Sequence, residues 1–377
     1  MTRMIPFIDL AAQQARIRPE VDAALAAILD HGQYIMGPEV AALEKDLSAF
    51  SGNSHAISCS SGTDALMLAL MALDLRPRQA VIVPSFTFAA SAEVLPCLGA
   101  VPVFADIDPA TFNLDPDGLA PALDAAKKAG LDCVGIITVG LFGQPADYDR
   151  IKRFADAEGL WILDDAAQSY GASWKGRAVG HLGAITATSF FPAKPLGCYG
   201  DGGAIFTDHD GYAEIMTSAR IHGMGRERYS HDRIGMTARL DSMQAAVLIE
   251  KLKIFNDELE MRQKVASRYH AHLPDVIGVQ HLEDGVTSSW AQYTVTLPVG
   301  IDRAAFQAAL KDDGVPTAIY YPKGMHEQAP YAHYPIATGG LPVTEDYCQR
   351  VVALPMHPYL DEDTQDHIIT AVKKALG

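Results

Sequence analysis

Thr188-Ser-Phe-Phe-Pro-Ala-Lys-Pro-Leu-Gly-Cys-Tyr-Gly-Asp-Gly-Gly203 runs directly into Ala204-Ile-Phe-Thr207, an apolar stretch with strand character. That succession decides the fold. A glycine-rich run that binds a dinucleotide must follow a strand and open a helix, whereas this one leaves the strand candidate Ile185–Ser189 and enters another. Its glycines read instead as places where backbone passes close to a ligand or to a neighbouring strand. Further strand candidates precede it: Ala80–Val83, Val101–Ala105, Val134–Val139 and Trp161–Leu163. Helix-like stretches alternate with them, at Asp64–Met71, Asp117–Lys128 and Asp147–Glu158. This is the connection pattern of a parallel sheet covered on both faces. An earlier helical stripe, Val40, Leu43, Leu47 and Phe50, is closed by Gly52. The expected class is α/β, with a large domain over residues 1–250. After about Gln244 a long helical stretch from Ser242 to about His270 leads to a strand at Ala291–Leu297, a helix at Arg303–Asp313 and a strand at Thr317–Tyr321. These read as a smaller C-terminal α+β domain over residues 251–377.

The glycine-rich run carries one lysine. Lys194 lies among Phe190, Phe191, Pro192, Pro195 and Leu196. A solvated loop lysine is the plain alternative, but lysine prefers water and these neighbours do not supply it. Desolvation lowers a lysine pKa and makes the neutral amine, a nucleophile able to form a Schiff base, accessible. Upstream, Leu160-Trp-Ile-Leu-Asp-Asp-Ala-Ala-Gln-Ser169 reads as a buried strand ending in two acids. One acid can favour a helix start through the dipole, and the other can hold a pyridine nitrogen protonated. A Schiff-base lysine and an aspartate at a pyridinium nitrogen are the pair that pyridoxal 5'-phosphate requires, so that cofactor is expected. Ser60-Ser-Gly-Thr-Asp64, at the start of a helix, reads as a phosphate cradle or as an ordinary N-cap.

Composition excludes other classes. With 377 residues and 49% hydrophobic content, the chain can bury a large core. A formal net charge of −16 argues against nucleic acid and anionic membrane as partners, because neutralising phosphates needs a basic surface. The five cysteines, at 59, 97, 133, 198 and 348, form no CxxC pair and no metal-ligand spacing. Free thiols in a reducing compartment and no metal site are expected. There is no secretory-signal pattern and no apolar segment near the roughly 18 residues of a membrane span, so a cytoplasmic, soluble chain is expected.

Six ordered motifs together resemble the DegT/StrS family of PLP-dependent nucleotide-sugar aminotransferases. They are Ser61-Gly-Thr-Asp-Ala-Leu66, Ser85-Phe-Thr-Phe-Ala-Ala-Ser91, Asp106-Ile-Asp-Pro109, Leu141-Phe-Gly-Gln-Pro-Ala-Asp147, Asp164-Asp-Ala-Ala-Gln-Ser169 and Ser189 to Gly203. The likeness begins at Phe7-Ile-Asp-Leu and reaches Leu354-Pro-Met-His-Pro-Tyr-Leu360. It implies the type I fold of PLP-dependent transferases, as in aspartate aminotransferase, and a homodimer with shared active sites. Lys194 would be the Schiff-base lysine and Asp165 the partner of the pyridine nitrogen. Phe88 would stack on the ring, although a Phe after a turn is more commonly plain core, and Gln168 would lie beside the ring. Gly62, Thr63 and Ser189 would hold the phosphate.

Within the family the wording is most like the members that aminate C3 of UDP-2-acetamido-2-deoxy-3-oxo-glucuronate for bacterial surface polysaccharide. Glutamate would give the amino group. Other 3-oxo or 4-oxo UDP and dTDP sugars remain alternatives, as does a non-catalytic regulatory protein on the same fold. The related sugar dehydratases carry histidine where this chain has Lys194. Two positions depart from the family pattern. Thr237 stands where the family carries an Asn that reaches the cofactor phosphate of the neighbouring subunit, and Tyr320 stands where relatives carry His. Arg239 matches the family arginine and is a candidate to receive a carboxylate or to form an interface ion pair. Tyr320, Tyr321 and His326 complete the expected substrate pocket.

Overall fold

A computed structural model describes residues 5–227 and 229–377. The chain opens with two helices, α1 (Leu10–His31) and α2 (Pro38–Ser51). Gly52 closes α2 in the left-handed conformation, φ 80°, and its N–H donates to the Ser48 carbonyl. Then come β1 (His55–Cys59), α3 (Gly62–Ala72), β2 (Gln79–Pro84), α4 (Ala89–Cys97), β3 (Val101–Ala105), α5 (Leu119–Lys128), β4 (Asp132–Val139), α6 (Tyr148–Glu158) and β5 (Trp161–Asp165). Two short strands, β6 (Ser173–Trp174) and β7 (Arg177–Ala178), precede β8 (Ile185–Ser189) and β9 (Gly203–Thr207).

Seven of these strands form one sheet in the order β1-β9-β8-β5-β4-β2-β3. Those from β8 through β3 pair in parallel. β9 is antiparallel to both β8 and β1, so β1 points with the parallel set. The expected entry of the glycine-rich run into a strand is therefore observed. The apolar runs Val81–Val83 and Ile136–Ile137 are fully buried, as expected of strands covered on both faces.

After α7 (Asp210–Ala219), the helix α8 (Ser242–His272) runs 31 residues, about 46 Å at 1.5 Å per residue. The rest comprises β10 (Gly278–Val279), β11 (Val286–Thr287), β12 (Tyr293–Thr296), α9 (Arg303–Asp312), α10 (Pro342–Arg350), β13 (Val351–Leu354) and α11 (Glu362–Leu376). β10, β12 and β13 form a second, antiparallel sheet, while β11 returns to pair with β6. One expectation fails here. Thr317–Tyr321 is not a strand; Ala318 makes a single bridge to Ala353. Pro316 and Pro322 flank the segment and cannot donate to a ladder. Beyond the bridge it carries Tyr320 and Tyr321 to an aromatic cluster with Phe86 and Phe142.

α8 contributes to two cores. Its first half buries Ala245, Leu248 and Phe255 with Leu43, Leu47 and Tyr170. Its second half buries Val265, Ala266 and Tyr269 with Tyr293, Val295, Leu310, Val352 and Ile368. Phe255 closes a triangle of rings with Tyr170 (6.1 Å) and Phe50 (5.4 Å), which are 5.5 Å from one another. Phe255→Ala is expected to cost about 3–5 kcal/mol through lost transfer energy and a residual cavity, read as a lowered urea midpoint. A change under about 1 kcal/mol would show that the site collapses around the truncation.

Candidate active site

In open α/β sheets ligands bind beyond the carboxyl ends of the parallel strands. That edge gathers most of the residues expected from sequence. β1 leads into Ser60–Gly62, β2 into Ser85–Phe88, and β4 into the turn Leu141–Gly143. β5 ends on Asp165, and β8 ends on Ser189, five residues before Lys194.

Consecutive strand residues point to opposite faces, which separates the two acids. Asp164 is paired with Tyr148 of α6 and with Thr186, whose hydroxyl donates to Oδ2 at 3.4 Å. Burial, opposed by Tyr148 and aided by the charge of Asp165, pushes its pKa up to about 7. Asp165, only 5% exposed, faces α4. The Ser91 hydroxyl donates to Oδ2 at 2.6 Å and the Ala167 N–H to Oδ1 at 3.1 Å. Burial raises the Asp165 pKa, while Ser91, Ala167 and the charge of Lys194 pull it down.

Lys194 is half-buried on a turn that its own N–H closes by donating to the Phe191 carbonyl at 2.8 Å. Burial lowers its pKa and the charge of Asp165 raises it. Among the described residues Nζ makes no hydrogen bond. A half-buried lysine and a buried carboxylate thus lie near enough, beyond the ends of adjacent strands, for the charge of each to shift the pKa of the other.

At the start of α3 the Ser61 hydroxyl accepts from the Asp64 N–H at 3.0 Å, an N-cap. A Cβ on Gly62 would lie 2.7 Å from Cβ of Ser189. Glycine is therefore what lets the α3 N-terminus, with Thr63 in its first turn, meet the end of β8. Gln168 is buried and doubly tied: its Oε1 accepts from the Phe142 N–H at 2.7 Å and its Nε2 donates to the Tyr321 hydroxyl at 3.2 Å. The Tyr321 ring stands 6.4 Å from Phe88 and 6.1 Å from Phe86. Phe88 is 57% exposed while Phe86 is buried, so Phe88 is not core.

Tyr320 packs on Tyr321 (5.8 Å) and Phe7 (6.4 Å). His326 is held by Ser85 (Oγ to Nδ1, 2.7 Å) and Glu345 (3.4 Å), which engages both ring nitrogens. Thr237 and Arg239 lie on the segment between α7 and α8. Thr237 is exposed with its hydroxyl 2.8 Å from His222 Nε2, and Arg239 has a buried Nε without a hydrogen-bond partner. Among the described residues, neither bonds to the groups at the strand ends. Sequence reading missed Ser91 as the support of Asp165, although Ser91 closes a motif already singled out. It also passed over Lys251, whose partner is 54 positions away.

The pattern of the DegT/DnrJ/EryC1/StrS aminotransferase family matches residues 15–373. The UDP-2-acetamido-2-deoxy-3-oxo-D-glucuronate aminotransferase of Pseudomonas aeruginosa is 48% identical, over 95% of this chain and 96% of its own. A crystal structure of a DegT DnrJ EryC1 StrS aminotransferase from Brucella abortus superposes with a TM-score of 0.96 at 48% identity, covering 99% of this chain and 100% of that one. NtdA from Bacillus subtilis, solved with bound cofactor PMP, superposes with a TM-score of 0.88 at 27% identity over 100% and 86% of the two chains. The fold is type I of the PLP-dependent transferases. The chain belongs to the DegT/DnrJ/EryC1/StrS aminotransferase family.

Because its folded pKa is raised from 3.8 to about 7, Asp164 contributes stability that is present below pH 4 and lost as pH rises toward 7. The loss approaches about 1.4 kcal/mol per pH unit for a single group. Asp164→Asn removes this slope. The ratio of the urea midpoint at pH 7.5 to that at pH 5 should be higher in the variant than in wild type; an unchanged ratio would exclude Asp164 as the titrating group.

Proposed function

We propose that the chain is a PLP-dependent nucleotide-sugar aminotransferase that transfers the amino group of L-glutamate to the C3 ketone of UDP-2-acetamido-2-deoxy-3-oxo-D-glucuronate, releasing 2-oxoglutarate. The product would be the 3-amino uronic acid used in O-antigen and lipopolysaccharide synthesis. The observation that carries the reading is the half-buried Lys194 within charge range of the buried Asp165 beyond adjacent strand ends. The likeness at 48% to an enzyme bearing that substrate in its name supports the choice of sugar. Tyr320 and Thr237, which depart from the family pattern, favour keeping another 3-oxo or 4-oxo UDP or dTDP sugar as the second reading.

The residues fit the cofactor. Lys194 offers an amine without a hydrogen bond, Asp165 a carboxylate already held by two donors, and Phe88 an exposed ring three residues before the Ser91 that bonds Asp165. Gly62, where a side chain would clash, offers backbone N–H groups next to Ser189. When bound, pyridoxal phosphate supplies an electron-withdrawing ring that stabilises carbanion character at the reacting carbon. Asp165 would hold the proton on the pyridine nitrogen. Lys194 would hold the cofactor through its amine and, once released, would take up and return the transferred proton at Nζ. Phe88 would cover one ring face, Gln168 would lie beside the ring, and Gly62, Thr63 and Ser189 would hold the phosphate. Tyr320, Tyr321 and His326 wall the sugar pocket.

The same reading makes the active protein a homodimer with shared sites. Tyr34, Ile35 and Met36 are large exposed apolar residues; the Tyr34 carbonyl accepts from the Ser242 N–H and Ile35 is bridged to Asp241, two residues after Arg239. A second copy would cover them and give Thr237 and Arg239 a partner site. The separate cores support the division at residue 250, with α8 entering both. The five free thiols support a cytoplasmic location.

Two predictions test the reading. Borohydride should fix pyridoxal phosphate to wild type at Lys194, located by peptide mapping. Lys194→Ala should still bind the cofactor without a covalent bond while turnover is abolished. Wild-type turnover in that variant would end the proposal.

The second concerns Arg239. A guanidinium built to meet the C6 carboxylate is left buried and unpaired by the 6-hydroxymethyl analogue, costing on the order of 2–5 kcal/mol. Wild type should prefer the uronic acid at least roughly tenfold in kcat/KM, and Arg239→Met should lose that preference. Mixing Lys194→Ala with Arg239→Met chains should restore the uronic acid preference through hybrid sites. Equal rates on both sugars in wild type would remove the uronic acid; a mixture in which heterodimers form without recovering the preference would remove the shared site.

A further inference from the structure

Lys251 is the one lysine that the core fully encloses among the described residues: it is 1% exposed, on α8, with no carboxylate in salt-bridge contact. Its Nζ donates to the Gly197 carbonyl at 2.5 Å and lies 4.4 Å from the centre of the Tyr199 ring. Burial pulls its pKa down to about 8, against the charges of Glu258 and Cys198. At neutral pH it is therefore an ammonium, withdrawn from water at considerable cost. Methionine or leucine would fill the same volume without that cost. What the lysine supplies, and they would not, is a donor for one particular carbonyl.

That carbonyl belongs to the segment carrying Lys194. Gly197 lies so close under the preceding turn that a Cβ would come 2.6 Å from the carbonyl oxygens of both Phe191 and Pro192. The Phe191 carbonyl is also the acceptor for the Lys194 N–H. A displacement of Gly197 is thus passed directly to the turn that presents Lys194. Two side chains of α8 grip this segment from outside. Gln244 Oε1 accepts from the Tyr199 N–H at 2.9 Å. Lys251, seven residues and about 10 Å further along the same helix face, takes Gly197.

We propose that Lys251 is a positioning residue for Lys194, fixing the buried placement of that amine by anchoring the Gly197 carbonyl to α8. The proposal rests on the assignment of Lys194 as the reactive amine, but its test does not require the cofactor. In the full-length chain freed of cofactor, the rate at which an amine-acylating reagent modifies Lys194 is measured against pH by peptide mass spectrometry. Lys152, on the surface beside Asp156, serves as the internal reference. Wild type should show a midpoint below the ordinary lysine value. In Lys251→Met the turn relaxes toward water, so the Lys194 midpoint should rise by at least about one unit, a roughly tenfold loss of neutral amine at neutral pH, while Lys152 is unchanged. Lys251→Arg, which keeps a donor, should retain the wild-type midpoint. A wild-type midpoint in folded Lys251→Met overturns the proposal. So does a rise of one unit in Lys251→Arg, a comparison that stands even if Lys251→Met does not fold. Borohydride fixation of pyridoxal phosphate on wild type is scored separately; its failure would count against the function and not against the link from Lys251 to Lys194.

Discussion

Asp165 and Lys194 are withdrawn from water at the carboxyl ends of β5 and β8, each shifted by burial toward its neutral form and each pulled back by the charge of the other. Neither would be tolerated alone at that depth. The parallel pairing of β5 with β8 sets Asp165 opposite Ala187, two residues short of the strand end from which the chain runs on to Lys194. The donors on Asp165 are drawn from α4 and from the residue two positions on, so the carboxylate cannot turn away. The pair is a place where charge is held in reserve for a third, cationic or proton-accepting group. A pyridine ring meets that description.

The strand period adds a second constraint. Because Asp164 and Asp165 are adjacent on one strand, only one can face the site. The other is carried to the α6 side, where Tyr148 and Thr186 receive it and burial leaves it titrating near neutrality. Two identical residues thus acquire different chemistry from their surroundings alone. The doubled acid need not be a doubled function.

Much of the large sheet could be read from sequence, since strands buried on both faces appear as short apolar runs between helices. The exception is β1, His55-Ala-Ile-Ser-Cys59, whose mixed composition gives no such run. It is a strand because β9 pairs with it along its whole length. Thr317–Tyr321 errs in the opposite direction: its β-favouring residues are spent on delivering two tyrosines rather than on a ladder. At the site, Lys194 and Asp165 were legible because each sits in a local context that is wrong for an ordinary charge. Ser91 and Lys251 were not, because their meaning lies in partners 74 and 54 positions away.

Net charge poses a last problem for an enzyme of nucleotide sugars. At −16 the chain repels an anionic substrate at long range. At physiological ionic strength, however, that repulsion is screened beyond about 8 Å. Binding must therefore be decided by cations within a few ångströms of the ligand. Apart from Lys194 and Asp165, the wall at the strand ends is aromatic, with Phe86, Phe88, Tyr320 and Tyr321 clustered around Gln168. His326, the nearby ionisable group, already has both ring nitrogens engaged. Arg239, half-buried and with an Nε that has no hydrogen-bond partner among the described residues, is a cation whose charge no described carboxylate takes up.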